Sequence, residues 1–310
     1  MAVYECSMFF NENDLLEVKL NEHWDIVDKF VIVEAGETHT GIPKPFNFDH
    51  ERFKPYAEKL VYVKFDSFAE EMAKFPRYDC PIGKGCHANE YIDDWARDHF
   101  QFNYTAKVLE DLGADDFDLV LYSCLDEIIK PDAFRRALTL FENKDEVFYG
   151  YSHWNPDKSN PLYQDMRPLV HFRTYFYAYK INLLRFGGIA ECCAGSLTEF
   201  INYKSLLPAT MRSLGLYTHD DIPDGSWHFT FLDDTDGERV LKKMKSWAHA
   251  RDNYHGQRRY DLEDTQSAVQ WILDEYKMEI PRDVVPVIEG THPTYMVNNL
   301  EKFEKYILKA

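Results

Sequence analysis

The chain contains no run approaching the roughly 20 consecutive apolar residues that a membrane-crossing helix requires, so a helical membrane protein is excluded at the level of sequence. Its first residues, Met1-Ala2-Val3-Tyr4-Glu5, carry neither a basic start nor a cleavage-type apolar run. No signal peptide is therefore expected, and a cytoplasmic protein, microbial or viral, is the natural reading. Cysteine is sparse, with six residues at positions 6, 80, 86, 124, 192 and 193 and no repeated Cys-x-x-Cys, which points to free thiols in a reducing compartment. The one zinc-like grouping, Cys80, Cys86 and His87, lacks a clear fourth ligand. Gly-x-Gly-x-x-Gly, the P-loop, His-Glu-x-x-His and Gly-x-Ser-x-Gly are all missing, which removes dinucleotide oxidoreductases, P-loop kinases, zincins and typical hydrolases as leading readings. Positive charge is short: 35 Lys and Arg face 53 Asp and Glu, a net charge of −18. Nonspecific nucleic-acid binding and docking on an anionic membrane both run on basic surface, so both are disfavoured.

What the chain does have is length and aromatic mass. Its 310 residues can bury a full core without disulfide or metal staples. With 20 Tyr and 22 Phe, it can fill that core with rings or present stacking platforms to sugars and bases. The N-terminal third reads as strand (1–10), amphipathic helix (14–24, with Asn13 as its cap), strand (27–35), proline-containing loop (36–45) and strand (59–65). That rhythm predicts βαβ units in a mainly parallel sheet. Residues 70–87 read as a long loop, 89–113 as a helix and 118–122 as a strand; 131–141 is a helix. Strands at 146–151 and 170–179, a glycine-interrupted loop at 185–196, a strand at 227–232, a basic helix at 237–250, and helices at 266–276 and 298–308 complete the pattern. No linker or repeat divides the chain, so one α/β domain is expected.

Four groups of residues could carry chemistry. Asp126 and Glu127 follow the 118–122 strand, and ligands of open α/β sheets collect at carboxyl ends of strands. Such carboxylates can hold a divalent cation or simply cap the helix that follows. His228 lies among aromatics in Asp224-Gly225-Ser226-Trp227-His228-Phe229 and reads either as a core histidine or as a metal or phosphate contact. Between Arg239 and Arg259 seven basic residues face one acid, a balance of +6 inside an acidic chain. This is a solvated helix face or a phosphate cradle. Asp93 and Arg97, four residues apart, form an expected surface pair, with Asp94 beside them.

Taken in order, several segments resemble one family. Residues 9–22, Phe-Phe-Asn-Glu-Asn-Asp-Leu-Leu-Glu-Val-Lys-Leu-Asn-Glu, are similar to an N-terminal signature of glycosyltransferase family 17. Residues 27–35, Thr40 to Pro45, Asp126-Glu127-Ile128, Trp227-His228-Phe229 and Lys245-Ser246-Trp247-Ala248-His249 continue the likeness over about 4–300. The resemblance implies a GT-A-like, Rossmann-type α/β fold and an inverting transfer of a GlcNAc- or glucose-like sugar from a UDP-sugar to a hydroxyl of a glycan. It also implies a donor-binding half at about 1–130 and an acceptor half at about 131–310. On this reading the donor is touched by Phe10, Asn11, Glu12, Glu34, Thr40, Lys44, Arg97, Asp126, Lys245 and His249. Asp126 and His228 are the metal candidates, Glu127, Asp224 and Glu191 the candidate bases, and Trp154 and Tyr177 the acceptor platforms. One departure matters. The family's Asp-x-Asp-Glu is here Cys124-Leu125-Asp126-Glu127, and thiol sulfur suits Mg²⁺ and Mn²⁺ poorly. Either Asp126 holds the metal with another carboxylate, or lysines and arginines of the basic run carry the leaving-group charge. Two other functions stay open: transfer to hydroxylated bases of viral DNA, and noncatalytic binding of a nucleotide or glycan.

Overall fold

The computed structural model describes residues 1–78, 92–142, 169–205, 208–209, 221–254 and 256–309, with backbone alone at 92, 186–194, 203–205, 221, 253–254 and 257. The expected strand at 146–151, the Cys80/Cys86/His87 grouping and Trp154 lie outside the described residues.

The apolar runs of the N-terminal third become β1 (Val3–Phe9), β2 (Lys29–Ala35) and β3 (Leu60–Phe65), paired in parallel around β1 and β2. α1 (Asn13–His23) is the crossover from β1 to β2, and Leu16 and Leu20 on its inner stripe pack against Phe30 and Ile32. Its cap is Glu12 rather than Asn13, whose amide instead donates to the Asn47 carbonyl at 2.9 Å. After β3 come α2 (Phe68–Lys74), where a loop was expected, and α3 (Ile92–Asp111). Phe100, Tyr104 and Leu109 of α3 cover the opposite face of the sheet against Val31 and Val33. A strand buried on both faces needs apolar residues at every position, which is why these strands read as continuous runs instead of alternating ones. Burying each such side chain contributes roughly 1.5–3 kcal/mol.

β4 (Leu119–Tyr122) adds to β1 in parallel. The chain then makes β5 (Glu127–Ile129), α4 (Pro131–Glu142), β6 (Leu169–Ala178), β7 (Leu184–Glu199), α5 (Phe200–Ser205) and β8 (Asp221–Thr230). The sheet has eight strands in the order β3-β2-β1-β4-β7-β6-β8-β5. Four neighbouring pairs are parallel, and β4–β7, β6–β7 and β5–β8 are antiparallel. The expected loop at 185–196 is thus most of a 16-residue strand. Its glycines are accommodated by register shifts against β6, and Gly195 takes φ +65° at a bulge, so pairing on both edges overrides weak strand propensity. Because β4 pairs with β7, and β5 with β8, the sheet joins the two halves of the chain rather than separating them.

Beyond β8, α6 (Glu238–Ser246) and α7 (Thr265–Glu275) pack on each other, with Val240, Met244 and Ile272 in a shared cluster beside Phe176 and Phe231. The expected tail helix is instead a broken series, α8 (Thr294–Asn298) and α9 (Leu300–Phe303) followed by a single 3₁₀ turn. Among the described residues, no helix is long and apolar enough to cross a membrane.

Candidate functional site

A cavity of about 470 Å³ opens where β1 and β4 end, closed on its far side by α6 and the segment after it. That volume falls in the range of roughly 300–1,000 Å³ usual for small-molecule sites. Its position follows from the sheet. β1 delivers Phe9 and then the turn Phe10-Asn11-Glu12, and β4 delivers Cys124 to Glu127. The Glu12 carboxylate folds back to accept the amides of Phe10 and Asn11, each at 2.9 Å, which fixes the first turn.

The second turn is fixed from beneath by a buried ion cluster. Lys19 of α1 donates to the Ser123 hydroxyl at 2.6 Å and the Cys124 carbonyl at 2.8 Å, and pairs with Glu5 at 3.2 Å. His23 bridges Glu5 at 2.7 Å and the Ile129 carbonyl at 2.7 Å. Burial alone would raise the Glu5 carboxyl, yet the adjacent His23 and Lys19 hold it below the ordinary range. α1 therefore reaches through the sheet to set where Cys124 to Glu127 stand.

Asp126 is the centre of the cavity's charge cluster. Its Oδ2 accepts from Lys243 Nζ at 2.8 Å and lies 3.6 Å from His228 Nε2. Burial would raise this carboxyl, but Lys243 and then His228 hold it far below the usual carboxylate range. Lys243 is in turn held above the ordinary lysine range: Asp126 first, then Glu12, overcome the opposing effect of burial. Both groups are therefore charged at neutral pH. Glu127 also lines the cavity, with Oε2 accepting the Cys124 amide at 2.9 Å inside its own turn. On the opposite wall, His249 Nδ1 meets Asp252 Oδ2 at 2.7 Å, and its ring stands edge-on to Trp95 with centroids 4.3 Å apart. His39 is held between Asp98 at 3.4 Å and Gln101 at 3.0 Å.

Of the residues singled out from sequence, Phe10, Glu12, Lys44, Asp126, Glu127, His228 and His249 line the cavity. The others sit elsewhere. Glu34 is fully buried and accepts from Lys44, the amides of Asn47 and Phe48, and the Tyr62 hydroxyl, so it organises the loop that carries Lys44. Asn11 borders a smaller adjoining pocket. Thr40 ties that loop to α6 through the Lys245 carbonyl at 2.9 Å. Arg97 donates to the His39 carbonyl at 2.9 Å and approaches Asp94, not Asp93. Asp224, at φ +51°, is turned outward to Lys130, off the cavity. The side chain of Glu191 lies outside the described residues. Tyr177 is a core residue, stacked on Phe229 and donating to the Thr291 carbonyl at 2.7 Å, which leaves no face for an acceptor ring.

The basic run is largely consumed within the chain. Arg239 pairs with Asp234, Arg251 with Asp94, and Arg259 is buried between Trp247 and Trp271. Lys243, rather than Lys245, is the member that enters the cavity. Sequence reasoning also passed over Trp95, His39 and Asp252; the His249–Asp252 pair forms in the turn after α6, and an acid three residues after a histidine was the available signal.

A divalent cation does not fit this donor set. Among the described residues, no group of three or more His, Cys, Asp or Glu side chains could hold a metal ion. Asp126 is already neutralised by Lys243, and the neighbouring ligand position is the Cys124 thiol.

Residues 1–135 match the model described as Glycosyltransferase family 17, a span of less than half the chain that runs from β1 into α4. It takes in Phe10, Glu12, Lys44, Asp126 and Glu127, and leaves His228, Lys243 and His249 beyond it. Among solved structures the chain is similar to the apo form of mouse xyloside xylosyltransferase 1, at 8% identity over 71% of this chain and 77% of that one. The TM-score of 0.24 is too low for that likeness to bear on the site. Among curated proteins, none matches the chain.

Proposed function

We propose that this protein is a glycosyltransferase with a GT-A-like fold that moves a sugar from a UDP-sugar to a hydroxyl of a glycan. The observation that carries the reading is the cavity at the ends of β1 and β4, lined in part by residues of the family match and bearing the Asp126–Lys243–His228 cluster. The donor lies against Phe10, Glu12 and Lys44, with its diphosphate toward Lys243 and the acceptor entering beside Trp95 and His249. The donor and acceptor parts are then not two consecutive halves of the chain, because α6 from the second half closes the donor site of the first.

Among the cavity groups, His249 is the best-placed base. Its ring is oriented by Asp252, whereas the Glu127 carboxylate is turned into its own loop. The acceptor hydroxyl gives its proton to the imidazole, and its oxygen bonds the anomeric carbon from the face opposite the diphosphate. The carbon–oxygen bond to UDP breaks, its electron pair staying on the phosphate oxygen. The test is turnover. The protein incubated with UDP-GlcNAc, UDP-glucose or other UDP-sugars should release UDP, faster with a glycan acceptor than with water. No release from any UDP-sugar would remove this reading.

A further inference from the structure

We infer that Lys243 takes the place of the divalent cation, so that the leaving diphosphate is neutralised by a side chain of the protein and the reaction is independent of metal. The inference rests on the nucleotide-sugar reading above and deepens it.

Three observations carry it. The first is occupancy. The position beside Asp126 that a cation would take is filled by the Lys243 ammonium, 2.8 Å from Oδ2, with His228 Nε2 at 3.6 Å. A cation entering there would have to displace the ammonium, and like charges at such distances repel strongly in a partly buried site. The second is ligand chemistry. The position two residues before Asp126 is the Cys124 thiol, a soft donor poorly matched to Mg²⁺ or Mn²⁺. The third is where other positive charge lies. Lys44 Nζ stands 5.5 Å from the Phe10 ring centroid and Lys242 Nζ 5.8 Å from it, on the strand-end turn that adjoins Lys243. Lys44, paired with Glu34, thus lines the cavity together with Lys243, and Lys242 stands beside the same turn.

Chemically the substitution is sufficient. When the anomeric carbon–oxygen bond breaks, its electron pair and one extra negative charge remain on the diphosphate. No proton need reach that oxygen, only a fixed positive charge within contact distance. Lys243 supplies this, and Asp126 acts as a positioning residue that holds the ammonium on the cavity wall and keeps it charged. Asp126 does so from a backbone that is itself anchored, since its carbonyl accepts the Phe229 amide at 2.7 Å.

The experiment is calorimetric titration of the whole protein with UDP, once in excess EDTA and once in excess MnCl₂, followed by the same pair on Lys243→Met and on Lys243→Met/Cys124→Asp. Wild-type UDP affinity is expected to agree within about twofold in the two media, and Lys243→Met to weaken it at least about tenfold in EDTA, as loss of a charged contact does. The double variant, given an oxygen ligand and relieved of the ammonium, is expected to recover UDP binding with MnCl₂ only. Wild-type binding that disappears in EDTA would overturn the inference while leaving the nucleotide-sugar reading in place. Absence of UDP binding in both media would overturn that reading and the inference with it. The wild-type comparison needs no variant, so it decides the matter even if Lys243→Met does not fold.

Discussion

His249 and Asp252 form a hydrogen-bonded pair three residues apart in the turn that follows α6, with the imidazole Nδ1 2.7 Å from the carboxylate and Trp95 closing one side of the ring. A carboxylate behind Nδ1 fixes the tautomer that leaves Nε2 able to take a proton, the arrangement a general base needs. His249→Gln should therefore lower kcat by about 10²–10⁴-fold with a much smaller change in KM. Asp252→Asn, which loosens the orientation of the ring, should lower kcat less. Steady-state kinetics across pH check both. Variants that alter KM alone would assign the pair to binding instead.

Much of the first half was legible because its physics is local. Continuous apolar runs, an i, i+4 stripe at Leu16 and Leu20, and carboxylates placed just after a strand suffice to predict β1-α1-β2 and the Asp126 turn. What remained illegible depends on distant partners. β7 reads as a loop because Gly187, Gly188 and Gly195 weaken its own propensity, and only the strands on either side make it a strand. Lys243 and Lys245 flank Met244 at equal angles on α6, so the sequence gives no way to choose which of them meets Asp126; packing of Val240 and Met244 against α7 decides it. Glu34 looks like a site carboxylate in sequence, and is instead spent on four hydrogen bonds, three from the loop above it and one from Tyr62 of β3, because that loop folds back over β2.

The Glu5–Lys19–His23 cluster should be costly to break. Lys19 is fully buried, and its removal leaves Glu5 with only His23 and the Ser123 hydroxyl, and the Ser123 hydroxyl and Cys124 carbonyl without the Lys19 donor. Lys19→Met should destabilise the fold by about 3–5 kcal/mol, the usual cost of stranding a buried charge. Urea unfolding followed by tryptophan fluorescence measures it. A loss below about 1 kcal/mol would mean that the cluster is not what fixes the Asp126 turn.

Asp94 gives the pH dependence a definite sign. Burial pushes its carboxyl up to about 6, with Arg251 and Arg97 only partly opposing, and among the described residues its buried Oδ2 has no hydrogen-bond partner. Between the unfolded value of about 4 and this folded value, the native chain holds a proton that the unfolded chain has released. This group's contribution to stability is therefore full below that window, falls as pH rises through it and is constant above. Carboxyl ¹³C titration should show a midpoint near 6 that Asp94→Asn abolishes. In the same interval, wild-type stability should decline with rising pH relative to the variant.

Gly36 is held by close approach of backbone. A Cβ there would stand 2.6 Å from the Asp66 carbonyl oxygen, and the Gly36 carbonyl accepts the Lys44 amide at 2.8 Å. Gly36→Ala must separate the ends of β2 and β3, at about 1–3 kcal/mol for overpacking. The same movement carries Lys44 away from Phe10, so UDP affinity should drop together with the urea midpoint. A variant that loses stability yet binds UDP normally would uncouple the loop from the site.

Cys124 and Cys6 offer an internal comparison of access. Cys6 is fully buried in β1, and burial, reinforced by Glu5, pushes its thiol well above the ordinary range, so little reactive thiolate exists. Cys124 lines the cavity and is half-buried. Iodoacetamide followed by peptide mass spectrometry should therefore label Cys124 at least about tenfold faster than Cys6, since modification follows access and thiolate content. Because the proposed diphosphate lies over the Cys124–Asp126 turn, saturating UDP should slow labelling of Cys124 and leave Cys6 unchanged. Equal protection of both thiols would indicate a general tightening of the fold, and no protection at all would place the nucleotide away from this turn.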